Sequence, residues 1–125
     1  ILKLNSFSFF NLQYGETREE INNFKKINNI SLNNMDKVDL YNDFESTAAL
    51  LKNLDLFITV SNTTAHLSAA LGTKTWLIKP KNHAVFHYWN QPSSSTPWYT
   101  NVKLFSYLGS WEKTIEEIKR QLLKL

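Results

Sequence analysis

A buried strand, a hydroxyl-rich turn and a helix of small residues follow one another without a break between Leu56 and Gly72. Leu56-Phe57-Ile58-Thr59-Val60 is apolar at nearly every position, the pattern of a strand covered on both faces rather than one with a wet side. Ser61-Asn62-Thr63-Thr64 offers several side chains able to cap a helix, Ala65 to Leu71 forms that helix, and Gly72 stands where a helix commonly stops. Thr75-Trp76-Leu77-Ile78 then opens another strand, ended by Pro80. Two apolar strands joined through a helix pack as a parallel pair with the helix against the sheet.

The flanking sequence repeats the alternation. Phe7 to Leu12 is short, aromatic and nearly continuous, so it reads as a first strand buried on both faces. Thr17-Arg18-Glu19-Glu20 has capping-box spacing, and Ile21, Phe24 and Ile27 keep one helical face apolar. A helix is predicted over 18–27. Ser31 to Asn42 is polar and rich in Asn, with Val38-Asp39-Leu40 as its one short strand candidate. Asp43 caps a helix that turns Phe44, Thr47, Ala48, Leu51 and Leu54 inward. Val102 to Phe105 makes a further strand, and Ser110 caps a last helix whose stripe is Trp111, Ile115, Ile118, Leu122 and Leu125.

Strands alternating with helices predict one α/β domain over residues 1–125, an open, doubly wound parallel sheet with helices on both faces, Rossmann-like in plan. In such sheets ligands gather beyond the carboxyl ends of the strands, near a reversal of strand order. The turns after Leu12, Val60 and Ile78 are therefore the places to search. Composition narrows the chemistry. The absence of cysteine removes disulfides and thiolate metal sites, and no apolar run approaches the roughly 20 residues of a membrane span. No export segment opens the chain, so a cytoplasmic setting is expected, and the start at Ile1 suggests a piece of something longer. A net charge of +3, with Lys and Arg scattered, gives nucleic acid no basic stripe to follow. Glycine-rich dinucleotide loops, P-loop lysines and Gly-x-Ser-x-Gly elbows are all missing from the sequence.

At Ser61 to Thr64, free backbone N–H groups and the positive end of a helix dipole converge on three hydroxyl residues. A phosphate fits such a turn. Simple helix capping accounts for the same residues and is the commoner use of such a turn.

Leu54 to Gly72, with His66-Leu67-Ser68-Ala69-Ala70-Leu71-Gly72 after its hydroxyl pair, closely resembles the donor-site segment of heptosyltransferase-like and O-GlcNAc-transferase-like glycosyltransferases, including bacterial relatives linked to tetratricopeptide repeats. The resemblance extends to Phe44-Glu45-Ser46-Thr47-Ala48-Ala49, Trp76-Leu77-Ile78 and Pro97-Trp98-Tyr99, and more loosely to Phe9–Gly15. It implies the second, donor-binding lobe of a GT-B fold. In that picture Ser61, Asn62, Thr63 and Thr64 hold the diphosphate of a nucleotide sugar without metal or cofactor, and His66 falls at the family histidine. It also implies partners outside this chain, an amino-terminal lobe or tetratricopeptide repeats, without which transfer is not expected. The catalytic residues are left unassigned. Gln13 and Tyr14 fall in a loop that, in the family, often carries a Lys or Arg beside the phosphates, and Tyr14 stands about where that cation belongs. Ser61 replaces a frequent Asp. Lys79 or Lys81 is left to supply positive charge. The alternative is a module that keeps the fold and has lost catalysis.

Between Pro80 and Val102 the chain is long and aromatic, with His83, His87, Tyr88, Trp89, Trp98 and Tyr99. Loops of this length are usually functional or disordered. Its rings can stack on a sugar or base, with His83 and Trp98 as contacts, or can pin the loop to the sheet, which is the reading for at least two of Trp89, Trp98 and Tyr99. Ser93-Ser94-Ser95-Thr96 reads as a mobile, solvent-facing tip. His83 and His87 are four apart, yet no acidic partner sits at helical spacing, and no metal is expected.

Overall fold

The computed structural model describes residues 1–80 and 87–125. In chain order the elements are β1 (Phe10–Asn11), α1 (Arg18–Asn28), β2 (Asn33–Asn34), α2 (Phe44–Lys52), β3 (Phe57–Val60), α3 (Thr63–Ala70), β4 (Thr75–Lys79), β5 (Val102–Ser106) and α4 (Trp111–Leu122). The chain divides into two compact units, Ile1–Thr47 and Ala48–Leu125, the boundary falling inside α2. Both are built from parallel strands and helices, so the protein is α/β with open, Rossmann-like sheets.

In the second unit β3, β4 and β5 lie side by side in sequence order, all parallel. The register pairs Phe57 with Thr75 and Thr75 with Val102. Because strand side chains alternate, Thr75, Leu77, Val102 and Leu104 share one face. Leu77, Val102 and Leu104 form a buried cluster there with Ala65 and Ala69 of α3 and Trp89 of the aromatic loop. Small residues let α3 approach closely enough for Ser68 Oγ to meet Thr75 Oγ1 at 2.7 Å. The opposite face carries Trp76 and Phe105, ring centroids 5.1 Å apart, with the Lys103 ammonium within 5.6 Å of both rings. Lys103 also donates to Gln121 of α4 at 3.0 Å. Helices α3 and α4 thus cover opposite faces, as expected of a doubly wound sheet.

The ends of these helices follow from their sequences. Gly72 adopts φ 81°, its N–H reaching Ala69 O while the Thr73 N–H reaches Ser68 O. That is a Schellman ending, in which the left-handed position favours glycine. Asn101 Nδ2 adds bonds to Ala69 O and Thr73 O, and Thr73 Oγ1 donates to Leu51 O of α2. Ser110 accepts from the Lys113 N–H and caps α4. Ile118 and Leu122 are buried in α4, whereas Trp111 and Leu125 at the ends of its stripe are exposed. Asp43 accepts from the Ser46 N–H at 2.9 Å, capping α2, but Phe44 faces solvent rather than the core.

The first unit is a short β-α-β turn of chain: β1 and β2 pair in parallel, Phe10 opposite Asn33 and Asn11 opposite Asn34. It departs from the sequence reading in four ways. The first strand shrinks to Phe10–Asn11, and Phe10 is exposed instead of buried on both faces. Thr17 occupies the N-cap position of α1 with helical backbone angles and no capping bond from its side chain, so the capping box does not form. Within α1, Ile21 is buried while Phe24 and Ile27 are exposed. The second strand is Asn33–Asn34, not Val38–Leu40, because the Asp39 carboxylate gathers the N–H groups of Tyr41 and Asn42 and the Asn42 amide into a side-chain-closed turn.

Candidate functional site

In the second unit the candidate site grows from the end of β3. Asn62 is the N-cap of α3: its Oδ1 accepts the Ala65 N–H at 2.8 Å, and its Nδ2 donates to Thr59 Oγ1 at 3.1 Å. With Asn62 serving Ala65, the N–H groups of Thr63 and Thr64 have no acceptor among the described residues. The hydroxyls of Ser61, Thr63 and Thr64 likewise make no hydrogen bond there. Thr63 is exposed, and Ser61 and Thr64 are half-buried. Capping is therefore the work of Asn62 alone, and the donors around it are free to address a ligand. Converging N–H dipoles, hydroxyls and a helix N-terminus can hold an anion without metal.

His66 lies one turn along α3, half-buried among rings. Its centroid is 4.6 Å from Trp89, 5.0 Å from Tyr88 and 5.9 Å from Tyr99, and its Nδ1 pairs with the Tyr99 hydroxyl at 3.2 Å. Burial holds the imidazole below its ordinary pKa by penalising the charged form. One ring nitrogen is thus committed to the fold, while Nε2 has no hydrogen-bond partner among the described residues. Lys79 ends β4 at the same carboxyl edge of the sheet, because Ile78 pairs with Val60. Its ammonium donates to Gln91 O at 2.9 Å, and burial lowers its pKa from the usual lysine value.

The aromatic loop is anchored by two of its rings. Trp89 is fully buried and Tyr99 stacks on it at 5.7 Å and 28°. Trp98 instead is 54% exposed, edge-on to His87 and Tyr88. The serine tip is held rather than loose: Ser94 O accepts the Leu104 N–H at 2.7 Å, covering the outer edge of β5, and the buried Thr96 donates to Tyr88 O at 2.7 Å. His83 and Lys81 lie outside the described residues. Among the described residues no group of three or more His, Asp or Glu is placed to hold a metal ion, and no helix is long and apolar enough to cross a membrane.

Gln13 and Tyr14 belong to the first unit. They line an open pocket of about 210 Å³ beyond the carboxyl ends of β1 and β2, shared with Arg18, Asn34, Asp36 and Tyr41. Gly15, at φ 94°, lets the chain turn from β1 into α1 there. Sequence reasoning singled out Gln13 and Tyr14 and missed the remainder. Strands of two residues carry no readable period, and the Asn-rich stretch hid β2; the Asp39 to Asn42 turn pattern was the available signal.

No family model matches the chain. Protein FlbA of Caulobacter vibrioides (strain ATCC 19089 / CIP 103742 / CB 15) is 32% identical over 117 residues, an alignment covering 91% of this chain and 19% of FlbA. The chain therefore spans about a fifth of the length of that relative. No solved structure matches the chain.

Proposed function

We propose that the chain is the nucleotide-diphosphate-sugar-binding half of a glycosyltransferase, the second lobe of a GT-B fold, acting in the cytoplasm with a further lobe or tetratricopeptide repeats. The observation that carries this reading is the set of donors after β3: the N–H groups of Thr63 and Thr64 and the hydroxyls of Ser61, Thr63 and Thr64, none of them engaged by the described residues. A diphosphate satisfies such donors without a metal ion. The heptosyltransferase-like pattern from Leu54 to Gly72 supplies the sugar-nucleotide half of the argument. An acceptor site and a catalytic base would come from sequence beyond this chain, as in any site formed between two lobes.

A second reading, a binding module without transferase activity, is favoured by the state of the cations. Lys79 is tied to a loop carbonyl, and Tyr14 replaces the basic residue of the family loop. Calorimetric titration with UDP, GDP and ADP, each with and without magnesium, tests the shared core of both readings. One diphosphate should bind saturably without magnesium. Replacing Thr63 and Thr64 together by Val should weaken it about tenfold or more, the loss expected from two charge-assisted hydrogen bonds, with the melting temperature unchanged. Binding that survives this double change unaltered would place the ligand elsewhere.

A further inference from the structure

The pocket of the first unit has a lining suited neither to a phosphate nor to an apolar ligand. Its charged groups are Arg18, Asp36 and Asp39, and the Arg18 guanidinium is already shared with Asp36 at 3.4 Å. An anion entering there would meet a cation already neutralised and a second carboxylate left uncompensated. Family resemblance alone would put phosphates beside Tyr14; the charges in this pocket argue against it.

Neutral hydroxyls fare differently. A carboxylate accepts about four hydrogen bonds; Asp39 spends three, on Tyr41, on Asn42 and on the Asn42 amide, and Asp36 spends one on Arg18. Acceptor capacity remains on both. The Gln13 and Asn34 side chains make no hydrogen bond among the described residues, and the Asn34 oxygen is buried without a donor. Beside these polar groups the rings of Tyr14 and Tyr41 meet edge to face at 5.7 Å, both well exposed. An aromatic face next to amides and carboxylates offers a platform for C–H groups and acceptors for the hydroxyls around them. The volume, about 210 Å³, falls below the roughly 300 Å³ at which pockets for drug-sized ligands begin. It admits one ring and not a whole nucleotide sugar.

We propose that this pocket binds a neutral pyranose ring, its apolar face on the Tyr14–Tyr41 pair and its hydroxyls on Asp36, Asp39 and the Gln13 amide. The site is independent of the diphosphate turn and stands whether or not Ser61–Thr64 takes a nucleotide.

Amide-resolved NMR titration of the whole chain distinguishes the two. The probes are free hexoses, their methyl glycosides, uridine and adenosine, and inorganic pyrophosphate. Saturable shifts at the amides of Gly15, Asp36 and Tyr41 are expected with at least one hexose or methyl glycoside, and Tyr41→Ala should weaken that binding about tenfold. Tyr41 is 69% exposed, so its removal spares the fold, which the unchanged amide spectrum elsewhere would verify. The proposal is overturned if no pyranose moves these amides, if pyrophosphate or a nucleoside moves them instead, or if Tyr41→Ala binds as the parent does. Movement of the Thr63 and Thr64 amides with pyrophosphate tests the diphosphate turn, and movement of Gly15, Asp36 and Tyr41 with a pyranose tests this pocket, so failure of one reading is visible beside survival of the other.

Discussion

Asn62 allows capping and anion binding to be separated with one pair of substitutions. Asn62→Ala removes the acceptor of the Ala65 N–H, a loss of about 1 kcal/mol for an N-cap, which in a domain of this size lowers the melting temperature by about 5 °C. Asn62→Asp keeps the acceptor. It forfeits the bond from Nδ2 to the Thr59 hydroxyl and gains about 0.3–1 kcal/mol from a negative charge at the helix N-terminus, so stability should stay within about 0.5 kcal/mol of the parent. A ligand phosphate would feel the new carboxylate very differently. At a separation of about 6 Å the repulsion is about 3 kcal/mol with an effective dielectric near 20, and about 0.7 kcal/mol in bulk water. The turn is half-buried, so a ten- to hundredfold loss of diphosphate affinity is expected for Asn62→Asp. Thermal unfolding by circular dichroism and calorimetry with the diphosphate found to bind would read the two effects. If Asn62→Asp bound as tightly as the parent, no phosphate would lie at the start of α3; if it melted as low as Asn62→Ala, capping would not be the stabilising role of this residue.

Two further predictions concern the aromatic loop. Trp89→Ala should cost about 3–5 kcal/mol, the range for deleting a fully buried large ring, whereas Trp98→Ala should cost under about 1 kcal/mol because that ring is mostly in solvent. Denaturant unfolding of the two variants would compare them directly, and equal losses would contradict the division of roles. His66 should also give stability a pH dependence. Its folded pKa lies below the ordinary 6.5, so the unfolded chain binds the proton more readily, and stability should fall as pH drops below about 6.5 and level off beneath the folded pKa. His66→Gln should flatten that part of the profile; a slope that persists would assign it to another group.

Much of the second unit was legible because its elements carry strong local signals. The apolar run of β3, the cap-rich turn from Ser61 to Thr64, the glycine at the end of α3 and the stripe of α4 each state their structure within a few residues, although which turn residue caps α3 was settled by the fold. The same signals located the hydroxyl turn at the carboxyl end of β3. In the first unit they fade: two-residue strands have no alternation to read, and the polar run from Ser31 to Asn42 fits several turns equally well. Thr17 shows the limit of motif spacing, since a hydroxyl at the right spacing still makes no cap when its own backbone is helical rather than extended.

Sequence alone determined that this protein would be α/β with parallel strands, and that donors would gather after β3, because hydrophobic period, caps and helix stops act over neighbouring residues. Tertiary structure decided which donors remain available. Residues distant in sequence compete for the same groups: Gln91 O engages Lys79, the Tyr99 hydroxyl engages His66, and Trp89 rather than Trp98 fills the core. It also brought Tyr14, Asp36 and Tyr41 around one pocket. A side chain's chemistry depends on burial and partners, and both are set by contacts between segments whose meeting only the folded chain defines.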